Sequence, residues 1–183
     1  MKNRALLILF IITIFSFLFS QEKTADSFDQ EKFINAFKRV VESSGNYFSE
    51  IITDQEIETA YGPENIVNVN FPAAGQTTYF YEEYYDYVMY YGINNVLVYY
   101  FEGNDAAQAE DVFSKIKNAL HYCSRNEILG PWTLEENSST EAGVTDTNIT
   151  LTSEKYPDLY ITLSGRFGDS GQNIELLFEL EEW

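Results

Sequence analysis

The chain has 183 residues, with 29 Asp plus Glu against 11 Lys plus Arg, one Cys and one His, for a net charge of −18. So dense a negative charge repels phosphate backbones and anionic lipid heads, and it argues against a nucleic-acid partner. One Cys and one His cannot make a CxxC pair, a zinc tetrahedron or an internal disulfide, so neither a metal nor a cofactor is expected.

Lys2 and Arg4 precede an apolar run from Ala5 to Phe19, broken only by Thr13 and Ser16, and Ser20-Gln21-Glu22-Lys23 then turns abruptly polar. This is the layout of a secretory signal peptide over 1–20. The run is shorter than the ~20 apolar residues that span a bilayer core, which favours cleavage. Leu18 is larger than the residue usual three places before the cut, and that keeps an uncleaved anchor open as an alternative. Residues 1–20 carry only Lys2 and Arg4 as charges, so without them the net charge goes from −18 to −20. The expectation is a secreted or periplasmic protein, with one acidic α+β domain over 21–183 and no stable membrane insertion after cleavage.

Ser27 and Gln30 fit a capping box, and Phe33, Ile34, Phe37, Val40 and Val41 share one helical face, which predicts an amphipathic helix over 28–43. Thr53 with Glu56 reads as a second capping box. Ile57, Ala60 and Tyr61 follow as a short apolar stripe closed by Gly62-Pro63, which predicts a helix over 54–61. Residues 66–71 alternate as a strand, and 72–76 read as a turn.

Nine tyrosines fall between Tyr79 and Tyr100, a composition that favours strands. Gly92-Ile93-Asn94-Asn95 has the size and chemistry of a hairpin loop joining strands over 84–91 and 96–101. Pairing Tyr91 with Val96 places Tyr84, Asp86, Tyr90 and Tyr99 on one face, and the charge of Asp86 marks that face as the wetter one. Those four residues are the candidate ligand-binding set.

Asp105 with Gln108 caps the next helix, and Val112, Phe113, Ile116, Ala119, Leu120 and Cys123 give it one apolar face over 105–123. After Gly130-Pro131, strands are predicted over 132–136, 147–152, 158–166 and 173–181. In the last, Ile174, Leu176, Phe178 and Leu180 alternate with Glu175, Glu179 and Glu181, the pattern of a sheet buried on one face. The fold class is therefore α+β: an antiparallel β-sheet, hairpin plus meander, packed against two amphipathic helices. Helices followed by strands occur twice along the chain, without a repeat of residues.

Gly168-Asp169-Ser170-Gly171 resembles the tetrapeptide around the nucleophile of trypsin-like serine proteases, and His121-Tyr122-Cys123 is faintly similar to their His-Cys pair. That family needs two barrels and a Ser-His-acid relay, whereas His121 ends a predicted helix only 49 residues before Ser170. The tetrapeptide reads as a turn. Cys123 continues the apolar stripe as a core thiol, with intermolecular pairing left open. Doublets such as Glu82-Glu83, Glu135-Glu136 and Glu181-Glu182 point to opposite faces of a strand and make no acid-base pair. No catalytic residue is assigned. The expected function is non-enzymatic binding of a basic protein, a peptide or a carbohydrate, in the role of an envelope accessory or inhibitor. A small carboxylate-dependent hydrolase is the alternative.

Overall fold

In the computed structural model, which describes residues 28–182 apart from 60–61 and 87–88, and backbone alone at 86, 89 and 90, two helices pack on one antiparallel sheet. The expected signal segment over 1–20 lies outside the described residues. Among the described residues no helix is long and apolar enough to cross a membrane. Helix α1 spans Gln30–Ser43 and α2 spans Ala106–Arg125. Asp29 caps α1, its carboxylate accepting the Lys32 N–H at 3.0 Å, and that bond holds the Asp29 pKa below its ordinary value. The expected capping residue, Ser27, lies outside the described residues. Asp105 caps α2 as expected, accepting the Gln108 N–H at 3.0 Å.

The strands are β1 (Ile52–Thr59), β2 (Gly62–Val67), β3 (Gln76–Asp86), β4 (Met89–Gly103), β5 (Thr133–Glu141), β6 (Val144–Ser153), β7 (Tyr156–Gly168) and β8 (Gly171–Glu182). Their order across the sheet is β1-β2-β3-β4-β8-β7-β6-β5, with every neighbouring pair antiparallel. Helix α1 precedes β1–β4 and α2 precedes β5–β8. Each half is therefore a helix followed by a four-stranded meander, and the two meanders meet where β4 pairs with β8.

Strand alternation decides which residues meet the helices. Val96 and Val98 of β4 pair with Phe178 and Leu176 of β8, and with Ile161, Leu163, Ile149 and Leu151 they form one buried layer under Phe33, Phe37, Val40, Ile116 and Leu120. Phe37 is central: its ring lies 5.7 Å from Trp132 and 6.0 Å from Phe178, distances at which edge-to-face and tilted aromatic pairs attract.

Three expectations are corrected. The helix expected over 54–61 is not formed by its described residues: Ile52–Thr59 is strand β1, pairing Ile57 with Glu64 and Thr59 with Gly62, and 60–61 lie outside the described residues. Three apolar residues are too few to bury a helix, and the β-branched Ile52, Thr53, Ile57 and Thr59 fit a strand better. The Thr53 hydroxyl donates across the pair to the Ile66 carbonyl at 2.8 Å instead of capping, and Gly62, at φ +113, belongs to the turn side of a hairpin. The following strand lies over Gly62–Val67 and not 66–71, which leaves Val69 and Phe71 buried on irregular chain.

The third correction moves the tyrosine hairpin. Gly92–Asn95 is the interior of a 15-residue strand, and the β3–β4 ladder runs on past it to the Asp86–Met89 pair. Turn-forming asparagines are held there as strand residues by cross-strand partners. The Tyr79 hydroxyl donates to Asn94 Oδ1 at 2.8 Å, and Asn95 Nδ2 donates to Glu82 Oε2 at 3.4 Å. Gly92 leaves room for the Tyr81 ring, whose Cζ would lie 2.6 Å from a Cβ placed there.

Candidate functional site

The β3–β4 register separates the four predicted residues. Tyr84 pairs with Tyr91, and their rings stack at 5.4 Å with 14° between planes. Tyr99 pairs with Gln76 at the far end of the same ladder. Tyr99 is eight residue steps along β4 from Tyr91, about 26 Å at about 3.3 Å per residue. Tyr90 pairs with Tyr85 and Asp86 with Met89, one step out of phase with each other, and their side chains lie outside the described residues. The set is not a single platform, because a loop at 92–95 was needed to fold Tyr99 back beside Tyr84. Tyr84 is 40% exposed and donates to Glu82 Oε2 at 3.1 Å; partial burial, then that bond and the carboxylates around it, raise its pKa.

What the structure does bring together lies around Tyr99 and from there toward Tyr84, on the sheet face turned away from the helices. The register sets Tyr99 opposite Glu175 and Leu97 opposite Leu177, both out of phase with the helix-facing Leu176 and Phe178. Two adjoining hollows open on this face. One, of about 530 Å³, takes Tyr99, Glu58, Glu102 and Glu175 into its wall. The other, of about 370 Å³, is lined by Glu64, Phe80, Glu82, Leu97, Glu175 and Leu177, among others. Glu175 belongs to both.

Glu64 is the unusual member. It is 2% exposed, and its Oε1 accepts the Thr59 hydroxyl at 2.6 Å and, at a longer 3.4 Å, that of Tyr99. Its Oε2 is shut from solvent and has no hydrogen-bond partner among the described residues. An unsatisfied buried polar atom costs about 1–3 kcal/mol. Farther along the face, Glu179 is half-buried, and burial, then Glu181 and Glu82, raise its pKa.

No protein-family model matches the chain, and no curated protein or solved structure matches it with significance. The site therefore rests on its own chemistry. Ser170 sits exposed in the two-residue turn between β7 and β8, and His121 is on α2 beside Lys117, Asn118, Tyr122 and Arg125. No hydrogen bond joins them among the described residues. Cys123 is fully buried, and burial pushes its thiol up to about 12. No group of three or more His, Cys, Asp or Glu side chains among the described residues is placed to hold a metal ion.

Glu64 and Glu175 escaped the sequence reading for different reasons. Glu64 follows Gly62-Pro63, which reads as punctuation and not as the start of a strand. Glu175 was placed on the wet face of β8, and the signal beside it was Leu177, an apolar residue centred on an otherwise acidic alternation.

Proposed function

We propose that this is a non-enzymatic binding protein of the secreted or periplasmic space, which engages its partner across the sheet face turned away from the helices. The observation that carries this reading is the pair of adjoining hollows there, whose volumes fall in the range of about 300–1,000 Å³ common for ligand sites. Acidic rims around Tyr99, Phe80, Leu97 and Leu177 give them a few polar groups over an apolar floor. The location outside the cytoplasm follows from the layout of residues 1–20. Tyr84, 40% exposed on the same face near the end of β3, adds aromatic area of the kind that binds at small entropy cost.

The test titrates the protein with labelled basic, neutral and acidic peptides and with oligosaccharides, and follows backbone hydrogen exchange. The expected result is saturable binding of a basic or carbohydrate probe, with protection centred on β3, β4 and β8. Protection confined to other elements, or no binding by any probe, refutes the reading. Three carboxylates, Glu64, Glu82 and Glu175, share one hollow, so the hydrolase alternative is checked on the same panel. Steady turnover lost in Glu175→Gln would replace binding with catalysis.

A further inference from the structure

We infer that the hollow over Glu64 is a socket for a cationic side chain, and that its occupant is a basic peptide segment whose arginine or lysine enters it. This rests on the reading of the uncovered sheet face as the binding surface and names the chemistry it recognises.

The open oxygen of Glu64 comes first. A carboxylate withdrawn from water, with one oxygen held by Thr59 and Tyr99 and the other without a donor among the described residues, leaves one acceptor to be filled. A charged donor fits it best, since hydrogen bonds between ionised partners are about twice as strong as neutral ones. Glu64 lines the hollow, so a donor entering it meets this carboxylate.

The walls carry the same sign. Glu82 and Glu175 line the hollow with Glu64, and Glu58 and Glu102 line its neighbour. Among the described residues, ion pairs form at Asp29, Asp111, Glu136 and Asp146, and none of the five glutamates has a lysine or arginine within 4.0 Å. Their hydrogen-bond partners are neutral: Asn173 donates to Glu175 at 2.8 Å, and Tyr84 and Asn95 donate to Glu82.

The floor selects the kind of cation. Phe80, Leu97 and Leu177 line the same hollow, and apolar walls accept the methylene stem of an arginine or lysine while its head meets the carboxylates. A bare metal ion gains nothing from that floor, and the acids are not gathered into a ligating group. The adjoining hollow, continuous through Glu175, offers flanking peptide residues a second acidic and aromatic stretch beside Tyr99.

The experiment uses the full chain and a fluorescein-labelled Gly-Arg-Gly-Arg-Gly peptide against its citrulline counterpart, which keeps the shape and loses the charge. Fluorescence anisotropy in buffered saline reads the affinities. The arginine peptide is expected to bind at least tenfold more tightly than the citrulline peptide. Glu64→Gln should remove most of that preference, while Glu110→Gln, on the exposed side of α2, should keep it. Glu175→Gln, on the half-buried wall, should weaken the arginine peptide at least threefold and supplies the decision if far-UV circular dichroism shows Glu64→Gln to be misfolded. Equal binding of the two peptides, or an undiminished preference in a natively folded Glu64→Gln, overturns the socket. If β3, β4 and β8 are still protected by a probe in either case, the sheet face remains the binding surface and the socket alone fails. If no probe protects them, both fail.

Discussion

Two buried residues, Cys123 and Glu64, differ in how far the sequence shows their burial. Cys123 is fully enclosed by the apolar face of α2, and its thiol is pushed up to about 12, so the reactive thiolate is scarce at neutral pH. Lys38 pulls the other way without offsetting the burial. Native protein at about pH 8 is expected to leave a thiol-specific disulfide reagent unreacted over a time in which the guanidinium-unfolded chain reacts fully; prompt reaction of the native form would contradict the buried placement. The linkage has a definite sign. The folded value lies above the unfolded one of about 8.5, so the contribution to stability is complete below about pH 8.5 and is lost as pH rises toward about 12. Cys123 was legible because it continues a helical stripe. Glu64 was not, because its burial depends on Thr59 and Tyr99, contacts made across three strands.

At the scale of elements, the two long helices and the four strands of the second meander were legible, while the first meander was misread. Val112, Phe113, Ile116, Ala119, Leu120 and Cys123 form a long periodic stripe that tertiary contacts only reinforce. Residues 54–61 and 92–95 offered short local signals, and local signals yield when a neighbouring strand supplies better partners. Asn94 and Asn95 are buried to 3% and 1% exposure and bonded across the sheet, and that overrode their turn preference. The docking of α2 turns on a strand glycine. Gly165 of β7 lies beneath the Phe113 ring, where an added Cβ would stand 2.6 Å from Phe113 and 2.9 Å from Phe167. Those two rings already meet edge to face at 5.7 Å and cannot both retreat. Gly165→Ala is therefore expected to destabilise the fold by about 1–3 kcal/mol, the usual cost of overpacking. Urea unfolding measures it, and an unchanged midpoint would mean that α2 sits farther from β7.

Across the whole molecule, two helix-plus-meander halves share one sheet, put both helices on one side and leave the negative charge to crowd the other. Glu179 reports that crowding: burial first, then Glu181 and Glu82, raise its pKa. A carboxyl whose folded value exceeds its unfolded value of about 4.3 favours the folded state when protonated, so its contribution is full below about pH 4.3 and is lost as pH rises through the folded value. Asp29 has the opposite sign. Its lowered pKa makes the cap effective above about pH 3.9, and that contribution fades as pH falls through the folded value. Stability should therefore rise as pH drops from about 7.5 to about 4.5 and turn down at stronger acid. At about pH 7.5, added salt should raise the unfolding midpoint by screening the net charge, with a weaker effect at about pH 4.5, where part of that charge is gone. Glu179→Gln, which removes the charge and keeps the shape, should raise the midpoint at about pH 7.5 and flatten the gain on acidification. Urea unfolding of the variant and the parent at the two pH values is the measurement. If both gain equally on acidification, the crowding at Glu179 is not what the pH dependence reports.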